Sequence, residues 1–227
     1  MLQYLDDILD TSKQKNLSFV DTLYHLTEIE IDRRRQGAIK LRFDNSRLKE
    51  KITIDQFDFH HHKSRKEQKN TITSLLNLEF IDQHADIILI GNPGTGKTFL
   101  AKCIGFAACN ANKKVLFTSA MDMINQLIAA DVDHSLVKKL SIYTSTDLLI
   151  VDELGYLALG DKGSDLFFQI ISARHQNGST LITTNLPFAE WGKIFNSTTV
   201  AAAIADRLVY RSEILIMEGS SYRRKEK

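Results

Sequence analysis

The chain has 227 residues, 43% of them hydrophobic and 25% charged, with a formal charge of +1. That is enough for one α/β domain with a modest extra segment, and it creates no global field that would announce a nucleic-acid partner. The longest apolar stretches fall far short of a membrane span, and Met1 to Asp10 carries acids where a secretory leader needs a basic start, so a cytoplasmic address without a membrane partner is expected.

Residues 1–16 are polar, with only Leu2, Leu5, Ile8 and Leu9 to pack, and support no more than a short marginal helix. Ser18 opens a stronger one. Asp21 follows three residues later in a capping-box-like start, and Phe19, Leu23, Leu26 and Ile29 keep a helical spacing. The charge then changes, with Arg33, Arg34, Arg35, Lys40, Arg42, Arg47, Lys49 and Lys51 opposed only by Asp44 and Glu50. Such a basic arm suits duplex DNA phosphates, which add affinity through counterion release and little sequence preference. It equally suits a solvated helix face. His60, His61 and His62 are consecutive, cannot easily aim three imidazoles at one ion, and have no Cys or carboxylate pair at ligand spacing, so no metal site is expected there. Between Glu67 and Phe80 the residues Ile72, Leu75, Leu76 and Leu78 predict a helix leading into a first strand. A helical region over 1–63 and a nucleotide-binding domain over 64–227 follow.

Residues 87–98, Ile87-Ile88-Leu89-Ile90-Gly91-Asn92-Pro93-Gly94-Thr95-Gly96-Lys97-Thr98, pass from an apolar run through a glycine-rich turn to Gly-Lys-Thr. Small residues there let successive backbone N–H groups turn inward around a polyphosphate, and the following helix, from about Phe99 to Cys109, presents its N-terminus to the same anion. Lys97 suits the β- and γ-phosphates, and Thr98 places a hydroxyl on Mg²⁺, a cation that prefers oxygen ligands. ATP and Mg²⁺ are the expected ligands. Cys103 and Cys109 fall on different faces of that helix, the pattern of buried free thiols.

Beyond the loop, strand and helix signals alternate as in a parallel sheet covered by helices. Strands are expected at Val115 to Thr118, Asp147 to Val151, Thr180 to Thr184 and Glu213 to Glu218. Helices are expected at Met121 to Ala130, Ser164 to Gln176 and Val200 to Tyr210, with a basic tail at the end.

Leu148-Leu149-Ile150-Val151-Asp152-Glu153 is an apolar strand ending in two carboxylates. Asp152 suits the metal, and Glu153 suits the attacking water as general base. Asn185, at the end of the Thr180 strand, has an amide that could bond the same water or the γ-phosphate. Phosphoryl transfer also uses cations placed against developing charge, and Arg207 and Arg223 are candidates, the first for a neighbouring subunit's nucleotide and the second for its own.

The set Gly-Asn-Pro-Gly-Thr-Gly-Lys-Thr, Leu-Ile-Val-Asp-Glu-Leu-Gly-Tyr-Leu (149–157), Thr-Thr-Asn-Leu-Pro-Phe (183–188), Trp191-Gly192, Phe195, Asp206-Arg207-Leu208 and Ser221-Tyr222-Arg223 resembles the IstB family. These are AAA+ ATPase helpers of insertion-sequence transposition, related to DnaC-type helicase loaders. The resemblance runs from about Leu17 to Arg224 and includes Ile54 to Phe59. It implies an AAA+ P-loop fold with a central parallel sheet flanked by helices, a small helical N-terminal region and no C-terminal helical lid. It implies phosphate binding by Gly91 to Thr98, a Walker B pair in Asp152 and Glu153, sensor 1 in Asn185, an arginine finger in Arg207 and sensor 2 in Arg223. ATP-bridged homo-oligomers on duplex DNA and stimulation of a partner transposase are further implications, and they favour DNA contact for the basic arm. The stretch before Leu17 is shorter than the family's usual first helix, which bears on target capture. Two other readings share these motifs: a DnaC-like loader of a replicative helicase, and a non-catalytic nucleotide-gated DNA-binding module.

Overall fold

Unbroken apolar runs such as Ile87-Ile88-Leu89, Leu148-Leu149-Ile150-Val151 and Leu181-Ile182 belong to strands whose two faces are both covered. In the computed structural model, which describes residues 10–222, they are inner strands of one five-stranded sheet. The strands are β1 (Asp86–Gly91), β2 (Val115–Ser119), β3 (Leu148–Leu154), β4 (Ser179–Thr184) and β5 (Ser212–Met217). Their order is β2-β3-β4-β1-β5, and every pairing is parallel.

The helices, in chain order, are α1 (Phe19–Ser46), α2 (Lys63–Glu67), α3 (Lys69–Leu75), α4 (Glu79–Asp82), α5 (Lys97–Asn110), α6 (Ala120–Val132), α7 (Leu136–Thr144), α8 (Gly160–Arg174) and α9 (Thr198–Val209). Alternate strand residues feed opposite layers. Ile87, Leu89, Leu148, Ile150 and Leu181 pack with Leu100 and Ile104 of α5, while Leu149, Val151 and Ile182 pack with Met123, Leu127, Phe167, Ile170 and Ile204. Each such side chain, fully buried, contributes about 1.5–3 kcal/mol relative to exposure. The two layers therefore hold the strand ends, where the functional residues lie, in fixed register.

The expected strands are all present, and several boundaries move. α1 begins as predicted: Ser18 Oγ accepts from the Asp21 N–H at 3.1 Å and the Asp21 carboxylate accepts from the Ser18 N–H at 3.3 Å. It runs on to Ser46, because the arginines and lysines of the basic stretch are good helix formers and nothing there breaks the turn. The compact units divide between Leu41 and Arg42, inside this helix. The single helix expected over Glu67 to Phe80 is instead α2, α3 and α4. Gln68 caps one helix and opens the next, and Leu78 takes a left-handed φ of 64°. α7 was not anticipated, since Lys138, Lys139 and Ser141 dilute the spacing of Leu136, Leu140 and Tyr143. The basic tail beyond Tyr222 and the stretch before Asp10 lie outside the described residues. Among the described residues no helix is long and apolar enough to cross a membrane.

At the start of β1, Asp86 accepts a hydrogen bond from the Thr180 N–H at 2.6 Å. Burial pushes its carboxyl up to about 7, against the opposing pull of that N–H and of Arg174. The folded chain therefore binds a proton that the unfolded chain, titrating near 4, has already released. Stability falls as pH rises from about 4 to about 7. Asp86→Asn should raise the thermal midpoint by at least about 2 °C at pH 8 and by less at pH 5, as read by calorimetry.

Candidate nucleotide site

The phosphate loop joins β1 to α5 at the carboxyl edge of the sheet, the edge at which open α/β folds take their ligands. Two of its glycines are dictated by backbone shape. Gly94 has φ +82° and its absent Cβ would fall 2.1 Å from Ser221 Oγ; Gly96 has φ +96° and faces the Arg65 guanidinium and the Phe57 ring. Gly96 is also the N-cap of α5, so the first-turn N–H groups and the positive end of a 14-residue helix adjoin the loop. Lys97 is 7% exposed, and its Nζ donates to the carbonyls of Gly91 at 2.6 Å and Asn92 at 2.9 Å.

The two acids come from β3, which β4 separates from β1 in the sheet. Thr98 Oγ1 donates to Asp152 Oδ1 at 2.9 Å, bringing a hydroxyl and a carboxylate together beside the loop. Hard oxygen donors of this kind fit Mg²⁺, which takes one or two protein oxygens and fills the rest of its shell with phosphate and water. Asp152 is buried while Glu153 is exposed. Gly94, Gly96, Lys97, Thr98, Glu153, Thr183 and Tyr222 line one cleft of about 290 Å³. A second cleft is lined by Arg47, Lys49 and Lys102 as well as Asp152 and Glu153.

Asn185 lies one residue beyond β4, with a buried Oδ1 that has no hydrogen-bond partner among the described residues. Arg207 is elsewhere. Its guanidinium lies 4.7 Å from the Phe168 ring centre and donates to the Ala203 carbonyl at 2.8 Å. It lines a cleft with His84, Asp86, His175 and Arg211, and Asp86 opens the strand whose far end enters the phosphate loop. A six-residue strand is about 20 Å long, so Arg207 is removed from its own loop. Arg223 lies outside the described residues.

On the basic arm, Arg33 and Arg34 donate to Glu30 at 3.1 and 2.8 Å, and those two guanidinium groups hold its carboxyl at about 2. Arg42 bonds Asn112, and Lys51 stands 5.5 Å above the Phe43 ring. Cys103 and Cys109 are free and buried, and burial pushes the Cys103 thiol up to about 12.

Several residues at the site had no role assigned to them from the sequence. Arg65, 3% exposed, donates to the carbonyls of Thr95 at 2.6 Å and Asp58 at 2.9 Å and stacks on Phe57. In the sequence it sits in Lys63-Ser64-Arg65-Lys66, where nothing marks it out from the neighbouring cations. The Tyr222 N–H donates to the Gly94 carbonyl at 2.9 Å, tying the segment after β5 to the loop. The histidine run serves the same junction, with His61 Nε2 2.9 Å from the Ser220 carbonyl and His62 Nδ1 2.9 Å from Ser64 Oγ. Thr183 was visible only as a letter in Thr-Thr-Asn.

The chain matches the family model described as IstB-like ATP binding protein over residues 1–227. It is 36% identical over 226 residues to the insertion sequence IS232 putative ATP-binding protein of Bacillus thuringiensis subsp. berliner, covering 100% of this chain and 90% of that one. It is 39% identical over 212 residues to the IS5376 putative ATP-binding protein of Geobacillus stearothermophilus, covering 93% and 84%. Among solved structures, the DnaC helicase loader aligns with a TM-score of 0.62 at 21% identity, over 79% of this chain and all but 1% of that one, 99% being covered. AMPPCP-bound DnaA from Aquifex aeolicus aligns with a TM-score of 0.65 at 18% identity, over 80% and 55%. These structural likenesses show the fold, a parallel sheet covered by helices with a phosphate loop after its first strand.

Proposed function

The chain belongs to the family of IstB-like ATP binding proteins, and from that premise we propose that it hydrolyses ATP and, in its ATP-bound state, assembles on duplex DNA to assist a transposase. The observation that carries hydrolysis is the meeting of Lys97, Thr98, Asp152 and Glu153 around one loop. Lys97 and the first turn of α5 neutralise the phosphates. Glu153 takes the proton of the attacking water as general base, and Asn185, with its unbonded Oδ1, orients that water. Thr98 and Asp152 would hold Mg²⁺, which supplies charge neutralisation at the phosphate oxygens when bound.

Arg207 stabilises the transferring phosphoryl group of a neighbouring subunit, because it is too far from its own loop to act in cis. The exposed charges of the arm from Arg33 to Lys51 contact DNA phosphates. The relatives from insertion sequences favour transposition; the likeness to a helicase loader supports the second reading, with the same core and a different partner.

Steady-state ATP hydrolysis without DNA, with duplex and with single strands, tests the proposal, with Glu153→Gln as the blank. Stimulation by duplex is expected. Stimulation confined to single strands would favour the loader, and turnover indifferent to DNA would remove DNA from the cycle.

A further inference from the structure

Thr183 stands on β4 opposite the two acids of β3. Its hydroxyl donates to Asp152 Oδ1 at 2.5 Å and accepts from the Glu153 backbone N–H at 3.0 Å. A threonine hydroxyl has one proton to give, so the donor and a lone pair are committed to two adjacent residues at once. The same Asp152 oxygen receives Thr98 Oγ1.

The strand register explains why a side chain is needed there. β3 and β4 pair in step from Leu148 with Ser179 to Val151 with Ile182, and pairing resumes at Leu154 with Thr184. Asp152 and Glu153 therefore share the single opposite residue Thr183, the two-to-one count of a β-bulge. Bulges re-aim side chains and leave a ladder N–H without its regular acceptor, and here the Thr183 hydroxyl takes the place of the lost carbonyl. Glu153 has φ 62°, a left-handed conformation that costs a non-glycine residue on the order of 1 kcal/mol or more and persists only where its surroundings impose it. In a regular strand, Asp152 and Glu153 would simply alternate. In the bulge, Asp152 stays buried against Thr98 while the Glu153 side chain is turned out into the cleft that Thr183 also lines.

We propose that Thr183 is a positioning residue for ATP hydrolysis: by bonding Asp152 and the Glu153 amide together it fixes the bulge that aims the Glu153 carboxylate at the water. This rests on the hydrolysis reading above. Thr183 binds no phosphate itself. Its removal should therefore slow turnover and spare ATP affinity, whereas a purely structural threonine would change stability without separating the two. A misplacement of about 1 Å at a catalytic group is enough for a roughly 10²-fold loss.

Thr183→Val keeps the shape and removes both hydrogen bonds, and Thr183→Ser restores them; Thr183→Ala replaces the valine variant if that one does not fold. The measurements are kcat, affinity for a fluorescent ATP analogue, and hydrogen exchange at the Glu153 amide. The expected result is a loss of at least about 10-fold in kcat for valine with affinity within about 3-fold, faster exchange at Glu153, and recovery of both by serine. The proposal is overturned by a valine variant that turns over like the parent, by a serine variant as slow as valine, or by an affinity that falls in step with kcat. A parent chain without turnover would overturn the hydrolysis reading as well, which separates the two failures.

Discussion

Glu153→Gln should leave ATP affinity nearly unchanged and lower turnover by about 10²–10⁴-fold, the contribution a positioned general base makes. Glutamine matches glutamate in size and keeps the backbone bond from the Glu153 N–H to Thr183, so the bulge survives. What it loses is the ability to take a proton. Affinity is expected to hold because the phosphates are met by the loop and α5, not by this side chain, which leaves β3 as an exposed group at the edge of the cleft. Phosphate release and a fluorescent-nucleotide titration on the same sample read the two quantities. A variant with parental turnover would sink the assignment of Glu153 as base.

Arg207→Ala should also bind ATP and should lose about 10³-fold or more in turnover once subunits assemble, the range associated with an arginine supplied in trans. A structural explanation predicts far less. The side chain's visible interactions among the described residues are its stack on Phe168 and one bond to the Ala203 carbonyl, and a half-buried cation–π contact is worth about 0.5–2 kcal/mol. A 10³-fold loss corresponds to about 4 kcal/mol. Mixing gives the sharper test. Arg207→Ala keeps an intact Glu153, and Glu153→Gln keeps an intact Arg207, so an equimolar mixture of the two slow proteins builds some interfaces with both groups and should regain turnover. Failure of the mixture to exceed either component would rule out action across an interface.

The residues legible in the sequence were those whose chemistry constrains their immediate neighbours. A loop that must wrap phosphate needs glycines at positive φ followed by a helix start, so Gly94, Gly96, Lys97 and Thr98 could be picked out by spacing alone. The strand ending in Asp152 and Glu153 is common as a pattern by itself and was legible because it follows a phosphate loop with a helix and a strand between. Sheet architecture followed from the same runs. Less legible were features set by register or by distant partners. Nothing in Leu148 to Leu154 announces a bulge, since the extra residue is defined only against β4. Arg65 could not be singled out because its acceptors, the carbonyls of Thr95 and Asp58, carry no side-chain signature. The helix expected from Glu67 to Phe80 failed because Gln68 and Leu78 end turns through backbone conformation without a glycine or proline to mark it.

β1 has β4 on one side and β5 on the other, and the phosphate loop that follows it is bonded by the residue 222 amide. Every strand partner of β1 is therefore synthesised well over eighty residues after it, the earlier one beginning at Ser179. On a ribosome, the emerging chain would carry the whole Gly91 to Thr98 sequence for most of its synthesis without the framework that shapes it. Competence to hold nucleotide should appear late and abruptly, when residues 212–222 clear the exit tunnel, so ribosome-bound chains arrested before that point would be expected not to retain ATP.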